Sequence, residues 1–334
     1  MLQDFYLGGN FKNDINKIFA KKMQNKSILL ITGSNSFIQS GFSVILEQCI
    51  LDLNSIVIQR IYCTTNPTEE VMCFAMVGSK NFDCILAVGG GSVIDTAKKI
   101  KIDYSPEVDF YCIYTRYGSA SPVTPFYVFD NYEFKIGAHD ISSIPQIVYA
   151  SLELMSTMPY EEKIVGISDI FAHASESYLS TSGGQKDKIL AHNIVTSIST
   201  AILEQSINEL VGLDVLAGLV ESKCLVLLPH ALGHYLTYTT GLAHGIASII
   251  FLPAYLNLLN QYIEFDQEFS NNVLSTVEFL LSNYQNIDIV TARNSVIENY
   301  DNVFELIEKY MPFTIQNSPY PITKDNLREM LACI

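Results

Sequence analysis

The first half of the chain alternates short, continuous apolar runs with longer stretches of helical periodicity. The runs at residues 27–32 (SILLIT), 55–61 (SIVIQRI) and 83–88 (DCILAV) are rich in β-branched residues, which is typical of strands covered on both faces. Helical spacing over residues 37–51 and 68–78 separates them, and a further strand follows at 110–115. This repeated strand–helix order predicts an α/β fold built on a parallel sheet.

The character of the chain changes near residue 153. Residues 125–150 are rich in Tyr, Phe and Val, which predicts a hairpin and one further strand that leads out of the sheet. Long helical periods follow, with predicted helices at 159–181, 186–208, 211–236, 243–262, 268–283, 288–311 and from Lys324. We therefore predict an α/β domain over residues 1–153 and a helical domain over residues 154–334.

Composition narrows the class of function. A net charge of −15 repels polyanions, so we expect no nucleic-acid partner. The most apolar stretch, residues 224–260, contains three histidines, two prolines and glycines, which favours buried helices over a membrane span. The N-terminus lacks the pattern of a secretory signal. The cysteines lie at positions 49, 63, 73, 84, 112, 224 and 333, without a paired motif. Free thiols in a cytoplasmic protein are expected.

A glycine-rich turn follows the strand at 84–88. Gly89, Gly90 and Gly91 let the backbone approach a ligand closely, and the helix that starts at Ser92 directs its free N–H groups to the same place. The spacing matches neither the standard dinucleotide fingerprint nor a Walker loop. A purely structural turn capped by Ser92 is the alternative. The position at the carboxyl end of a parallel strand favours a pyrophosphate site.

A second group of residues has the spacing of metal ligands. Asp169 and His173 are four residues apart in a helical run, so they lie on one face. Three of the six histidines, His230, His234 and His244, fall in one short segment. On a continuous helix, His230 and His244 would lie ~21 Å apart, whereas two ligands of one ion lie within ~4.5 Å. The chain must therefore fold back between them, and Gly241 is the predicted break.

Three imidazoles and one carboxylate suit Fe²⁺ or Zn²⁺ and leave a position open for a substrate. A single histidine on an apolar helix is more often a core residue. The i, i+4 pair together with the broken histidine cluster favours a metal site.

At this point the sequence resembles the iron-containing (group III) alcohol dehydrogenases. The matching segments occur in the order found in that family and span nearly the whole chain: GGGSVIDTAK (89–98), SDIFAHASESYLS (168–180), HALGHYLTYTTGLAHG (230–245) and NSPYPIT (317–323). The resemblance implies a dinucleotide-binding α/β domain followed by a helical metal-binding domain, with a dehydroquinate synthase-like architecture. It also implies a homodimer.

The resemblance assigns roles to individual residues. It implies that Asp169, His173, His230 and His244 bind the metal, with Fe²⁺ favoured and Zn²⁺ as the alternative. It implies that His234 lies beside the nicotinamide and assists proton movement. The residues that match cofactor-binding positions are Gly89, Gly90, Gly91, Ser92, Asp95, Thr115 and Lys135.

Two departures from the family pattern concern the cofactor. The segment from Thr115 to Pro122 loses the glutamate of the family motif and gains Arg116. Where many members carry an acidic residue that binds the ribose 2′-hydroxyl, this chain has Gly33, Ser34 and Asn35. A carboxylate would repel a 2′-phosphate, whereas small polar side chains would accept one. We predict that NADP(H) is preferred over NAD(H); the alternative is that Gly33 serves the turn and both cofactors bind.

These observations predict an oxidoreductase that interconverts a small primary alcohol and its aldehyde by hydride transfer, with the metal as Lewis acid. Two alternatives on the same fold are a reductase of a phosphorylated or phosphonate aldehyde, for which Arg116 would supply the charge, and a polyol or glycerol-type dehydrogenase. A non-catalytic nucleotide-binding descendant is the alternative from another class.

Overall fold

The computed structural model describes residues 3–33, 36–63, 81–131, 133–202, 204–285 and 289–332. The chain divides into two compact units. The first comprises Met1–Tyr132 and Gly137–Met158, and the second comprises Glu133–Ile136 and Pro159–Ile334. The proposed boundary between residues 153 and 154 stays a prediction. The helix predicted at 68–78 lies outside the described residues.

The strands of the described residues are β1 (Asp4–Gly8), β2 (Ser27–Gly33), β3 (Ile56–Cys63), β4 (Cys84–Gly89), β5 (Asp109–Tyr114), β6 (Phe126–Asp130), β7 (Lys135–His139) and β8 (Ile147–Ser151). Six of them form a sheet in the order β1-β8-β5-β4-β2-β3, and every pairing in it is parallel. The remaining two, β6 and β7, form a separate two-stranded sheet. The predicted parallel α/β fold is therefore confirmed.

Helices of the first unit are α1 (Phe11–Met23), α2 (Ser36–Gln39), α3 (Phe42–Asp52), α4 (Gly91–Tyr104) and α5 (Leu152–Ser156). Phe11 and Phe19 of α1 are fully buried in one core cluster with Leu30 of β2 and Val88 of β4. Each such side chain contributes about 1.5–3 kcal/mol on burial, so this cluster anchors α1 on the sheet.

The register of the sheet places the segments that follow β2, β4 and β5 at the same edge of the sheet. Thr32 of β2 pairs with Val88 of β4, and Gly89 pairs with Tyr114 of β5. Because the strands are parallel, Gly33, the glycine loop and Thr115 all leave the sheet at its carboxyl edge, where open α/β sheets bind their ligands.

Three details of the first unit differ from expectation. The predicted helix over 37–51 is two helices, because Gly41 between them has a left-handed φ of 79°. The strand predicted after the hairpin is β8, which lies inside the sheet between β1 and β5. Strand β1 was not predicted, since its mostly exposed residues form no apolar run.

The described helices of the second unit are α6 (Tyr160–Leu179), α7 (Gln185–Thr200), α8 (Ile207–Cys224), α9 (Leu228–Thr240), α10 (His244–Ile249), α11 (Leu252–Asn260), α12 (Gln267–Ser282), α13 (Ile289–Glu298), α14 (Tyr300–Tyr310), α15 (Phe313–Gln316) and α16 (Lys324–Ala332). Among the helices that the structure describes, none combines the length and apolarity needed to cross a membrane. The predicted helical character of this region is confirmed.

Several predicted helices of the second unit are wrong in extent. The span 211–236 is two helices, because Leu225 has a φ of 62° and the chain runs extended until Leu227. The span 243–262 ends and restarts around Phe251, ahead of Pro253 in the first turn of α11. The span 288–311 breaks at Asn299. Apolar periodicity continues across each break and conceals it.

Candidate functional site

The glycine loop of the first unit packs against the segment that follows β5. A Cβ added to Gly91 would lie 2.7 Å from the Cβ of Ser119, and one added to Gly90 would lie 3.3 Å from the Cδ of Arg116. The backbone N–H of Thr115 donates to the carbonyl of Gly89 over 3.1 Å. The glycines therefore allow two backbone segments to approach closely, as expected at a cradle for a ligand.

Two side chains of α4 hold the next part of that segment. Asp95 accepts hydrogen bonds from the Ser121 hydroxyl (2.5 Å) and from the Val128 amide (3.2 Å). Lys98 is fully buried, and its Nζ donates to the carbonyls of Thr124 (2.7 Å) and Phe126 (2.6 Å). Asp95, predicted to support the cofactor, thus binds protein groups that keep the segment in place. The role of Lys98 was not predicted.

The other residues predicted to contact the cofactor fall in different places. Gly33 ends β2, and a Cβ added there would meet none of the described atoms within 4 Å. Ser34 and Asn35 lie outside the described residues. Ser92 lies in the first turn of α4, and Thr115 is half-buried beside Gly89. Lys135 belongs to the second unit, where its carbonyl oxygen lies 3.1 Å from Nδ1 of His234.

The candidate metal site lies in the second unit and is built from three helices. Asp169 and His173 project from successive turns of α6. His230 lies in the first turn of α9, which ends at Gly241 with a left-handed φ of 72°. His244 is the first residue of α10. The predicted fold-back at Gly241 is confirmed, and it brings distant ligand candidates together.

The distances among these side chains suit a single ion. Nε2 of His230 lies 3.1 Å from Nε2 of His244. Oδ1 of Asp169 lies 3.9 Å from Nε2 of His244 and 4.0 Å from Nε2 of His173. Ligand atoms bound at ~2.1 Å are separated by no more than about 4.5 Å. Asp169, His173 and His230 form one group with metal-binding geometry, and His230, His234 and His244 form a second, with His230 common to both.

Burial sets the charge state of the cluster. Desolvation lowers the pKa of His173, His234 and His244, and lowers that of His230 to about 3. These imidazoles are therefore neutral near pH 7, which is the form that binds metals. Burial, reinforced by the nearby Asp214, raises the pKa of Asp169. A cation is the natural partner that would keep this carboxylate ionised.

Buried polar atoms without hydrogen-bond partners show whether these residues fit a metal ion. Among the described residues, Oδ1 of Asp169 is buried and has no hydrogen-bond partner. Two imidazole nitrogens that face each other at 3.1 Å can share at most one proton, so at least one lone pair remains directed into the cluster. Buried polar atoms are normally satisfied, and a divalent ion among these donors would satisfy them. The residues fit the implied metal.

His234 has a distinct second contact. Its Nδ1 lies 3.1 Å from the carbonyl oxygen of Lys135, and because a carbonyl only accepts, Nδ1 carries the proton. Nε2 is then the basic atom. His234 is buried and its ring centroid is 4.9 Å from that of His244, so it belongs to the cluster without sharing the contacts of Asp169.

The acidic residues around the cluster were not predicted from the sequence. Glu176 is fully buried on α6, and its Oε1 lies 3.3 Å from Nδ1 of His230. Glu221 of α8 has Oε2 3.8 Å from Nε2 of His173. A signal was available for Glu176, since it follows His173 by three residues on a helix whose neighbouring positions are apolar or small.

The predicted state of the cysteines is confirmed where the structure describes them. Those that are free and buried are Cys49, Cys63, Cys84, Cys112 and Cys224. Burial raises the pKa of the Cys63 thiol to about 11, so it stays protonated. Cys73 and Cys333 lie outside the described residues.

Known proteins that are similar to this chain point to one family. The sequence model of the family described as iron-containing alcohol dehydrogenase matches residues 6–150. The NADPH-dependent butanol dehydrogenase of Clostridium saccharobutylicum is 25% identical over 284 residues, which cover 75% of this chain and 71% of that protein. The chain thus resembles the iron-containing alcohol dehydrogenases, over residues 6–150 in the family model and over 75% of its length in this relative. The resemblance supports an oxidoreductase that uses a metal ion and a nicotinamide cofactor, as predicted.

Other relatives of this dehydrogenase differ in extent. An aldehyde-alcohol dehydrogenase of Streptococcus pneumoniae is 24% identical over 279 residues, but the match covers only 31% of that longer protein. An alcohol dehydrogenase structure from an archaeon of a Red Sea brine pool has a TM-score of 0.84 at 18% identity and covers 99% of this chain and 96% of its own. The iron-containing alcohol dehydrogenase of Thermotoga maritima has a TM-score of 0.78 at 21% identity, with 99% and 97% covered. These structures confirm the fold.

Proposed function

We propose that this dehydrogenase interconverts a small primary alcohol and its aldehyde, with a divalent metal held by Asp169, His173, His230 and His244. The observation that carries the proposal is the cluster itself. Asp169, His173 and His230 offer ligand atoms within 4.8 Å of one another, and Nε2 of His244 lies 3.1 Å from Nε2 of His230 and 3.9 Å from the unsatisfied Oδ1 of Asp169. A bound ion would act as a Lewis acid on the substrate oxygen. Fe²⁺ is the proposed ion, in keeping with the family, and Zn²⁺ is the alternative.

In this proposal the side chains of the protein move one proton and place the substrate. We propose that Nε2 of His234 accepts and returns the proton of the reaction, because Nδ1 already carries a proton that it donates to the Lys135 carbonyl. The side chain of His244 is 26% exposed, whereas those of Asp169, His173 and His230 are less than 10% exposed. The substrate oxygen would therefore approach from the side of His244. The hydride itself is supplied or taken by the nicotinamide.

Cofactor binding is proposed at the glycine loop and at the end of β2. Gly89, Gly90, Gly91 and Ser92 would hold the pyrophosphate, with Thr115 beside them and Asp95 supporting the segment. We further propose a preference for NADP(H), supported by the glycine at position 33 and by a relative described as NADPH-dependent. Lys135 stays a proposed cofactor contact. A cytoplasmic location agrees with free buried thiols, and a homodimer remains the proposed assembly.

The proposal is tested by metal analysis of the purified enzyme together with absorbance assays of NADPH and NADH oxidation against a panel of aldehydes. Asp169→Ala and His230→Ala should each lose the metal and the activity together. Ser168→Ala is the matched control, because Ser168 is equally buried on α6 but only donates to the Ile164 carbonyl. Wild-type turnover in a metal-free variant would refute the assignment. Bound metal without turnover of any aldehyde would favour the non-catalytic alternative.

A further inference from the structure

Glu176 joins the helix that carries Asp169 and His173 to the helix that carries His230. It is fully buried on α6. One carboxylate oxygen accepts from the backbone N–H of Leu227, the residue that precedes α9, and the other lies 3.3 Å from Nδ1 of His230. Leu227 cannot cap α9 with its own side chain. The carboxylate therefore accepts the N–H of the N-cap residue, as the N3 side chain does in a capping box, at the positive end of that helix.

The same contact determines which nitrogen of His230 is free. A neutral imidazole has one proton, and Nε2 of His230 is the atom that faces His244 at 3.1 Å. A hydrogen bond from Nδ1–H to Glu176 would keep the lone pair on Nε2 and fix the plane of the ring. Carboxylates that hold metal-binding histidines in this way typically change metal affinity by about 10–100-fold when they are altered.

We infer that Glu176 is the positioning residue of this metal site: it caps α9 and holds His230 in the tautomer that presents Nε2 to the ion. The inference rests on the proposed metal site. A glutamine at position 176 has the same shape but only one acceptor oxygen, so it can serve either Leu227 or His230 and leaves the other donor unsatisfied. Glu176→Gln is therefore the decisive variant.

The experiment is a Co²⁺ titration of metal-depleted protein, followed by the visible absorption of the bound ion, which reports affinity and ligand geometry independently of activity. Glu176→Gln should bind Co²⁺ about 10–100-fold more weakly than the wild type and with an altered spectrum. Ser175→Ala and Ser177→Ala are matched controls, since both serines flank Glu176, are fully buried and have hydroxyls without partners among the described residues. Both should bind as the wild type does.

The outcomes separate the inference from the function on which it rests. If the wild type binds no Co²⁺, the proposed metal site is wrong and the inference falls with it. If the wild type binds Co²⁺ and Glu176→Gln matches it in affinity and spectrum, only the positioning role is refuted. Glu176→Asp is the second variant if the glutamine protein does not fold. It keeps both oxygens but withdraws them by one methylene, so it should also bind Co²⁺ more weakly, and wild-type binding would refute the role.

Discussion

The Nε2 atoms of His230 and His244 lie 3.1 Å apart although 14 positions separate the two residues in the chain. A continuous helix would place them ~21 Å apart. The left-handed turn at Gly241, with its φ of 72°, ends α9 and allows α10 to begin at His244. The candidate ligand set therefore depends on the conformation of one glycine.

Substitution of Gly241 tests this dependence. Within the part of the chain that the structure describes, no atom lies within 4 Å of an added Cβ, so Gly241→Ala would be disfavoured by its backbone conformation alone. The expected cost is about 1–2 kcal/mol of unfolding free energy, with weaker metal binding if the turn relaxes. Gly241→Asn is the matched control, because asparagine tolerates this conformation better. Urea unfolding and metal titration of both variants provide the measurement, and equal stability of the two would contradict the explanation.

The sequence predicted the turn at Gly241 but not the break at Leu225. A glycine in the sequence indicates a possible left-handed residue. Leucine does not, and Leu225 adopts its φ of 62° because the surrounding fold holds it there. The run from Leu225 to Leu228 is apolar throughout, so periodicity alone could not show that one helix ends and another begins. Tertiary contacts, among them the bond from Leu227 to Glu176, decide that boundary.

Strands β2 to β5 were predicted within one or two residues, because continuous β-branched runs bounded by turns are a local signal. The metal ligand candidates were also recognisable, since their spacing on α6 and their concentration in one segment are visible in the sequence. The contacts that Glu176, Lys98 and Asp95 make were not predictable in the same way. Each joins residues 26 or more positions apart, and no periodic pattern records such contacts.

His234 is expected to affect turnover more than metal binding. Its Nδ1 donates to the Lys135 carbonyl. The carboxylate of Asp169, a proposed ligand, lies close to His173 and His244 rather than to His234. His234→Ala should therefore retain the metal but lower kcat by about 10²–10⁴-fold, the usual contribution of a positioned proton-transfer group. Metal content and steady-state kinetics are measured on the same preparation. Loss of the metal would instead make His234 a ligand, as the group of His230, His234 and His244 would allow.

Gly91 is expected to be required because the glycine loop and the segment after β5 leave no space for a side chain there. A Cβ at Gly91 would lie 2.7 Å from the Cβ of Ser119, closer than nonbonded carbon atoms approach. Gly91→Ala should displace the segment after β5 and raise the KM for the cofactor. Adding Ser119→Gly removes the opposing atom, so the double variant should recover much of the lost affinity, with Ser119→Gly alone as its control. Cofactor titration by nicotinamide fluorescence measures this, and a double variant no better than Gly91→Ala would exclude the packing explanation.

Gly33 provides the test of cofactor preference. It ends β2 at the carboxyl edge of the sheet, its φ is not left-handed, and an added Cβ would meet no atom of the described residues within 4 Å. An aspartate therefore fits there without backbone strain, and its charge would repel a 2′-phosphate while accepting a hydrogen bond from a ribose hydroxyl. Gly33→Asp should lower kcat/KM for NADPH and shift the ratio towards NADH, whereas Gly33→Asn, of the same size but uncharged, should shift it less. If the wild type already prefers NADH, or if the aspartate and asparagine variants behave alike, the proposed recognition of the 2′-phosphate at this position is wrong.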